Sequence, residues 1–327
     1  MVKQSVLIFA ASHSEHFEIP QITSLGRIPL LYHNTMPLVK RDDIVMECMS
    51  KNFNSFGLLD KVAQVATTVT AMILVLMPEE ILSALGIVKD KYANKGRLRE
   101  VIKNQIYQQP YKGGGINSTI FKSRNGDALL MHIAPRMSPE FKEDIRRLGA
   151  PIKYILISNE AHESLASEAK EAFPDALVIV PAVSKALVEV AVKVDGTIEE
   201  HAEKLKKDFG FVETFNGDEI GHCSSERSYA VEIFGSSSEK VLFVGQCGYG
   251  NLPQTFSLVL AGFSGFLTAG RFFRMFYYTF TKNHGLVRPF WHNMVNSVDN
   301  ISAAIFTHGM PINGKDTKEK LLQFYVY

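Results

Sequence analysis

Tyr154-Ile155-Leu156-Ile157-Ser158-Asn159-Glu160-Ala161-His162-Glu163-Ser164 is an apolar strand that ends in a hydroxyl residue and runs into a polar turn carrying one histidine. The segments on either side share one plan. Upstream, Ala128–Ile133 reads as a buried strand, and Ser138-Pro139 opens a helix with serine as N-cap and proline at the first helical position. Phe141, Ile145 and Leu148 then recur at offsets of four and three, one apolar stripe, and Gly149 ends the helix. Downstream, Leu177–Val180 is a strand, and Thr197-Ile198-Glu199-Glu200 has the spacing of a capping box that predicts a helix over Ile198–Phe209 with Ile198, Ala202, Leu205 and Phe209 inward. Further strands are predicted at Ile155–Ser158, Tyr229–Phe234, Val241–Gly245 and Ala303–Thr307. Short apolar strands alternating with amphipathic helices describe an α/β sandwich.

The whole chain sets outer bounds. Its 327 residues are enough for one large domain with an extension, and 46% hydrophobic with 21% charged residues is ordinary for a globular protein. Thirty-five Lys+Arg against 34 Asp+Glu leave a net charge of +1, so no global field draws the molecule to nucleic acid. Cys48, Cys223 and Cys247 form no CxxC pair, which argues against a disulfide framework or a cysteine zinc knuckle and favours a reducing compartment. The apolar run Val6–Ala11 is too short for a signal peptide core, so the expected location is intracellular, cytoplasmic first. Pro110-Tyr111-Lys112-Gly113-Gly114-Gly115 combines a helix-ending proline with glycines and is the predicted boundary between an N-terminal, partly helical extension (1–112) and the main domain (113–327).

From about Ser118 to Phe324 the order and spacing of several short motifs resemble the metallo-β-lactamase superfamily. Gly126 to His132 is similar to the family's early strand, which normally ends in an aspartate; here His132 takes that place. Ser158 to Ser164 stands where the family has HxHxDH, Gly221-His222 resembles the third motif, Val241 to Gln246 the strand ending in a Gly-Asp ligand, and Thr307-His308-Gly309 the last histidine. Asn159 followed by His162, Phe173-Pro174-Asp175-Ala176 and the run from Ala304 to Gly309 resemble an uncharacterised, ligand-poor branch of that superfamily. The resemblance implies a metallo-β-lactamase-like α/β/β/α sandwich with a helical N-terminal extension. It also implies that any chemistry would depend on divalent metal, which lowers the pKa of a bound water.

Donor count then limits that chemistry. Asn159, Ala161 and Ser164 have replaced ligand positions of the turn, and Gln246 offers a neutral carboxamide where two dications would need a bridging carboxylate, so the expectation is no metal or one divalent ion, zinc first. His162, His222 and His308 are the three candidate metal ligands, and Glu163 is the candidate catalytic base or fourth ligand. The bland readings are that each histidine is a hydrogen-bonded core or rim residue and that Cys247 is a small buried hydrophobe, a ligand only if a bulge resets its strand. His132, His201, His284 and His292 are read as packing or surface residues.

Two apolar stretches raise the question of a membrane. Val62 to Met77 would make a helix of about 24 Å, short of the roughly 30 Å hydrocarbon core. Arg271 to Tyr278 interleaves bases with aromatics, and Phe272, Phe273, Phe276 and Phe280 would crowd one side of a helix, a candidate for peripheral membrane contact or for closing over a pocket. Three functions follow. The first is a non-catalytic or weakly catalytic metallo-β-lactamase-fold protein that binds a small molecule or a protein in the former active-site cleft. The second is a mononuclear hydrolase of a carboxylic or phosphoric ester, and the third a membrane-peripheral interaction protein. Nucleic acid is not an expected partner.

Overall fold

The computed structural model describes residues 97–109, 117–135, 137–159, 163, 165–220, 227–236, 238–245, 247–248 and 283–323. Two sheets make up its interior. The first has seven strands in an order that follows the chain: β1 (Arg99–Ile102), β2 (Ile106–Gln109), β3 (Ser118–Lys122), β4 (Leu129–His132), β5 (Ile152–Leu156), β6 (Leu177–Val180) and β7 (Gly196–Thr197). Neighbours from β1 to β4 are antiparallel; from β4 onward they are parallel. The change of direction has a covalent cause. Each parallel step needs a crossover, and the crossovers hold α1 (Pro139–Arg147), α2 (Ala166–Ala172) and a short α3 (Lys185–Val188). The second sheet has the order β12-β11-β10-β9-β8, from β8 (Phe211–Asn216), β9 (Arg227–Glu232), β10 (Lys240–Val244), β11 (Ile301–Phe306) and β12 (Ile312–Asn313). Helix α4 (Ala202–Phe209) links the sheets in sequence, and α5 (Val287–Ser297) and α6 (Thr317–Leu322) flank β11.

Strand alternation sorts the side chains into three cores. Leu130, Tyr154, Leu156 and Ile179 face Tyr229, Val231, Val241, Phe243, Ala303 and Ile305 between the sheets. The intervening residues Leu129, Met131, Ile155, Ile157 and Val178 pack outward against Phe141 and Ile145 of α1 and Ala166 and Ala169 of α2. On the far side Ala230, Leu242, Val244, Ala304 and Phe306 pack against Val287, Trp291, Met294 and Val295 of α5 and Leu321 of α6. Strands buried on both faces are why β4, β5, β10 and β11 read as continuous apolar runs. Helix, sheet, sheet, helix is the α/β/β/α order expected from the sequence.

The predicted elements are present with ends displaced by up to four residues. Helix α1 is capped as expected: Ser138 Oγ accepts from Phe141 N at 3.2 Å, and Gly149 follows at φ +74°. The helix expected from Ile198 instead begins at Ala202. Its capping box does form, with Thr197 N donating to Glu200 Oε2 at 2.7 Å and Glu200 N to Thr197 Oγ1 at 3.2 Å. The box closes a turn because Thr197 belongs to β7 and Ile198 N donates to Val180 O, which holds the backbone extended one residue longer.

The domain boundary needs correction. Arg99–Gln109, assigned to the extension ending at 112, forms β1 and β2 of the main sheet, and β2 pairs with β3 across the glycine-rich run. Proline and glycine mark a connection between two paired strands as readily as a linker between domains. The helical extension and the run Val62–Met77 lie outside the described residues. No described helix is long and apolar enough to cross a membrane.

Candidate functional site

Five segments end on one edge of the sandwich. Thr119 of β3 pairs with His132, which closes β4, and His132 pairs in turn with Leu156 at the end of β5. Asn117, just ahead of β3, reaches the end of β11, where its N–H donates to Thr307 O at 2.6 Å, and Thr307 N donates to Val244 O at the end of β10. The C-terminal ends of β4, β5, β10 and β11 therefore share this edge with the start of β3. Parallel strands that end together leave their outgoing loops side by side, the usual place for a site in such sheets.

His132 continues the inward alternation of Leu130 and is fully buried. Its ring meets Phe243 of the opposite sheet edge to face, centroids 4.5 Å apart. Nε2 lies 2.7 Å from Ser158 Oγ, also buried, and Nδ1 has no hydrogen-bond partner. Burial alone lowers the imidazole pKa from 6.5 to about 3, so the ring is neutral at physiological pH. Either atom of this contact donates, according to the tautomer of the ring. Although 2.7 Å suits a nucleophile and its base, this base is weakly basic, and among the described residues no group bonds Nδ1 to orient it. The pair is a structural contact.

Beyond Ser158, Asn159 is buried and Glu163 is 5% exposed, its carbonyl accepting from Ala166 N at the head of α2. Opposite them, His308 follows β11 and is half-buried. His308 follows the end of β11 and Glu163 lies in the connection from β5 to α2, while His162, His222 and Gln246 lie outside the described residues, as do Phe272, Phe273, Phe276 and Phe280. Cys247 does not join the edge. It packs among Val244, Trp291 and Met294 behind the second sheet, with Ser228 Oγ 3.6 Å from its sulfur, the small buried hydrophobe expected. Gly248 lies directly against Trp291: a Cβ there would come within 2.4 Å of the indole.

Arg227, the first residue of β9, is buried with its guanidinium bonded to Asp218, to Glu199 at 2.9 Å and to Asn216 at 2.9 Å. Burial favours the neutral form, but the bonds from the Asp218 and Glu199 carboxylates outweigh it and raise the pKa above its ordinary value. Among the described residues no group of three or more His, Cys, Asp or Glu is placed to hold a metal ion. The donor types do not fit a two-ion centre: Ser158 bonds His132, Asn159 is a carboxamide, and Gln246 brings no charge. They fit at most one ion, with His308 and Glu163 as its described candidates.

Sequence reasoning passed over Asn117 and Arg227, while His132, read as a packing or surface residue, is a packing one. The contacts of Asn117 lie 189 and 192 residues away, and no local pattern announces them.

The sequence matches no family model and no curated protein. Solved structures with a similar fold include a metallo-beta-lactamase from Erythrobacter litoralis (12% identity, 69% of this chain and 94% of that one, TM-score 0.45). Another, from Hirschia baltica, is 10% identical over 70% of this chain and 97% of its own, TM-score 0.43. A third, FIM-1 from Pseudomonas aeruginosa, in its mono-zinc form, is 12% identical over 70% and 94%, TM-score 0.43. Likeness at this level concerns the fold, and no residue of this chain is paired with one of theirs.

Proposed function

We propose that the chain is a metallo-β-lactamase-fold binding protein, non-catalytic or weakly catalytic, which takes a small molecule or a protein segment at the edge where β4, β5, β10 and β11 end. The observation that carries this reading is the His132–Ser158 pair. At the strand ends where a metal centre would need outward carboxylate and imidazole, these two side chains turn inward, neutral and bonded to each other, beneath Phe243. Elemental analysis of full-length protein purified without chelator tests it, with less than one equivalent of metal expected after dialysis. Two tightly held equivalents, lost together in His308→Ala, would overturn the reading.

A second reading, the mononuclear hydrolase, is favoured by the buried Glu163 after β5 and the half-buried His308 after β11. There His308, with His162 and His222, would hold the ion, Glu163 would act as base or fourth ligand, and a bound divalent cation would supply Lewis acidity for ester cleavage. One stoichiometric equivalent surviving dialysis would move this reading to first place.

A further inference from the structure

We propose that Asn117 is the positioning residue of His308, so that the arm formed by β2 and β3 is part of the cleft. The inference rests on reading this edge as the binding site, and it concerns how the site is held in shape. Asn117 is 4% exposed. Its backbone N–H donates to Thr307 O at 2.6 Å, and its carboxamide Nδ2 donates to Phe306 O at 3.1 Å and to Gly309 O at 2.6 Å. One residue therefore binds the carbonyls on both sides of His308. Gln108 of β2 adds a second donor to Phe306 O at 3.1 Å while also donating to Thr119 Oγ1 at 3.0 Å, so both lone pairs of the Phe306 carbonyl are used. Thr307 closes the opposite side, its N–H and hydroxyl both directed at Val244 O. Gly309, at φ +83°, lets the chain turn back so that its own carbonyl meets Asn117.

The consequence is mechanical. Residue 308 follows a strand of the five-stranded sheet, yet the carbonyls on both sides of it accept from a residue that leads into the seven-stranded one. A backbone held on both flanks fixes the direction in which the side chain of residue 308 leaves the chain, which lowers the ordering cost of meeting a ligand. Side chains of similar size do not supply these bonds: aspartate lacks both donors and would face two carbonyls with a charge, and leucine has no donors at all.

Histidine-selective NMR of the full-length, ligand-free protein tests this, with the His308 ring signal identified by its loss in His308→Gln and the His201 signal as internal control. In Asn117→Ala the His308 signal is expected to shift and broaden while His201 stays in place, and the Thr307 amide to exchange at least about tenfold faster as the clasp opens locally. Asn117→Ser, which keeps the backbone bond and one hydroxyl donor, is expected to fall between, and carries the test if the alanine variant does not fold. A His308 signal and a Thr307 exchange rate unchanged in either folded variant would overturn the proposal. The measurement needs no ligand, so a cleft later found to bind nothing would refute the proposed function and leave this result standing.

Discussion

His132 and His308 each follow an apolar strand, and both strands end on the same edge of one sandwich, yet the structure treats the two side chains in opposite ways. The imidazole of His132 is fully buried, faces Phe243 and bonds Ser158, so its ring is part of the core. At His308 it is the backbone on either side that is held, by Asn117, and the ring is half exposed. The difference teaches that a strand-end histidine can be held through its ring or through the main chain beside it, and that the first arrangement buries the ring while the second leaves it partly exposed. A motif match cannot see that distinction, because it depends on what the opposite sheet supplies.

The pH dependence of folding is the strongest way to break the comparison. The folded-state pKa of His132, about 3, lies below the unfolded value, so the unfolded chain takes up the proton first. Stability is then full above about pH 6.5 and falls as the pH drops toward 3, by a few kcal/mol for this group. Urea unfolding across that range is expected to be markedly flatter in His132→Phe; an equal slope in both proteins would show that the ring is not buried as a neutral group.

Truncation separates the two residues more directly. His132→Ala opens a cavity under Phe243 and strands Ser158, and is expected to cost about 3 kcal/mol at pH 7. A urea midpoint displaced by no more than that of His308→Ala would abolish the contrast.

Gly248→Ala probes the far side of the second sheet, where a methyl group would press on Trp291, whose indole donates to Leu321 O at 2.7 Å. The expected loss is about 1–3 kcal/mol by thermal unfolding. If that substitution were silent, α5 would not be seated against the loop after β10, and the wall that carries Val244 and Thr307 would be looser than the bonds indicate.

The smallest effect sharpens the comparison from the other end. His308→Ala, which removes a half-buried side chain outside the three cores, is expected to cost no more than about 1 kcal/mol. A loss several times larger would make His308 a second structural histidine and remove it from the cleft.

Much of the fold was legible from local rules. Ser138-Pro139 and Gly149 bounded α1 because capping acts within one turn, and the apolar runs at 129–132, 152–156, 240–244 and 301–306 betrayed strands buried on both faces. The register of the alternation also decided which residues faced inward, so Leu130 and Tyr154 in one core and Leu129 and Ile155 in another followed from period two alone.

What tertiary structure decided was everything that joins distant segments. It placed Arg99–Gln109 in the main sheet, although glycine and proline beside it looked like a boundary, because strand pairing is a non-local bond that no composition records. It started α4 at Ala202, with the capping box closing a turn ahead of the helix while Ile198 N stays bonded to Val180 O. It also joined His132 to Ser158 and Asn117 to the flanks of His308. By itself the sequence determined which residue types reach the edge of the sandwich. Which of them are spent on the core and which are left to meet a ligand depended on burial and on partners up to 192 residues away, and those are properties of the packed sheets.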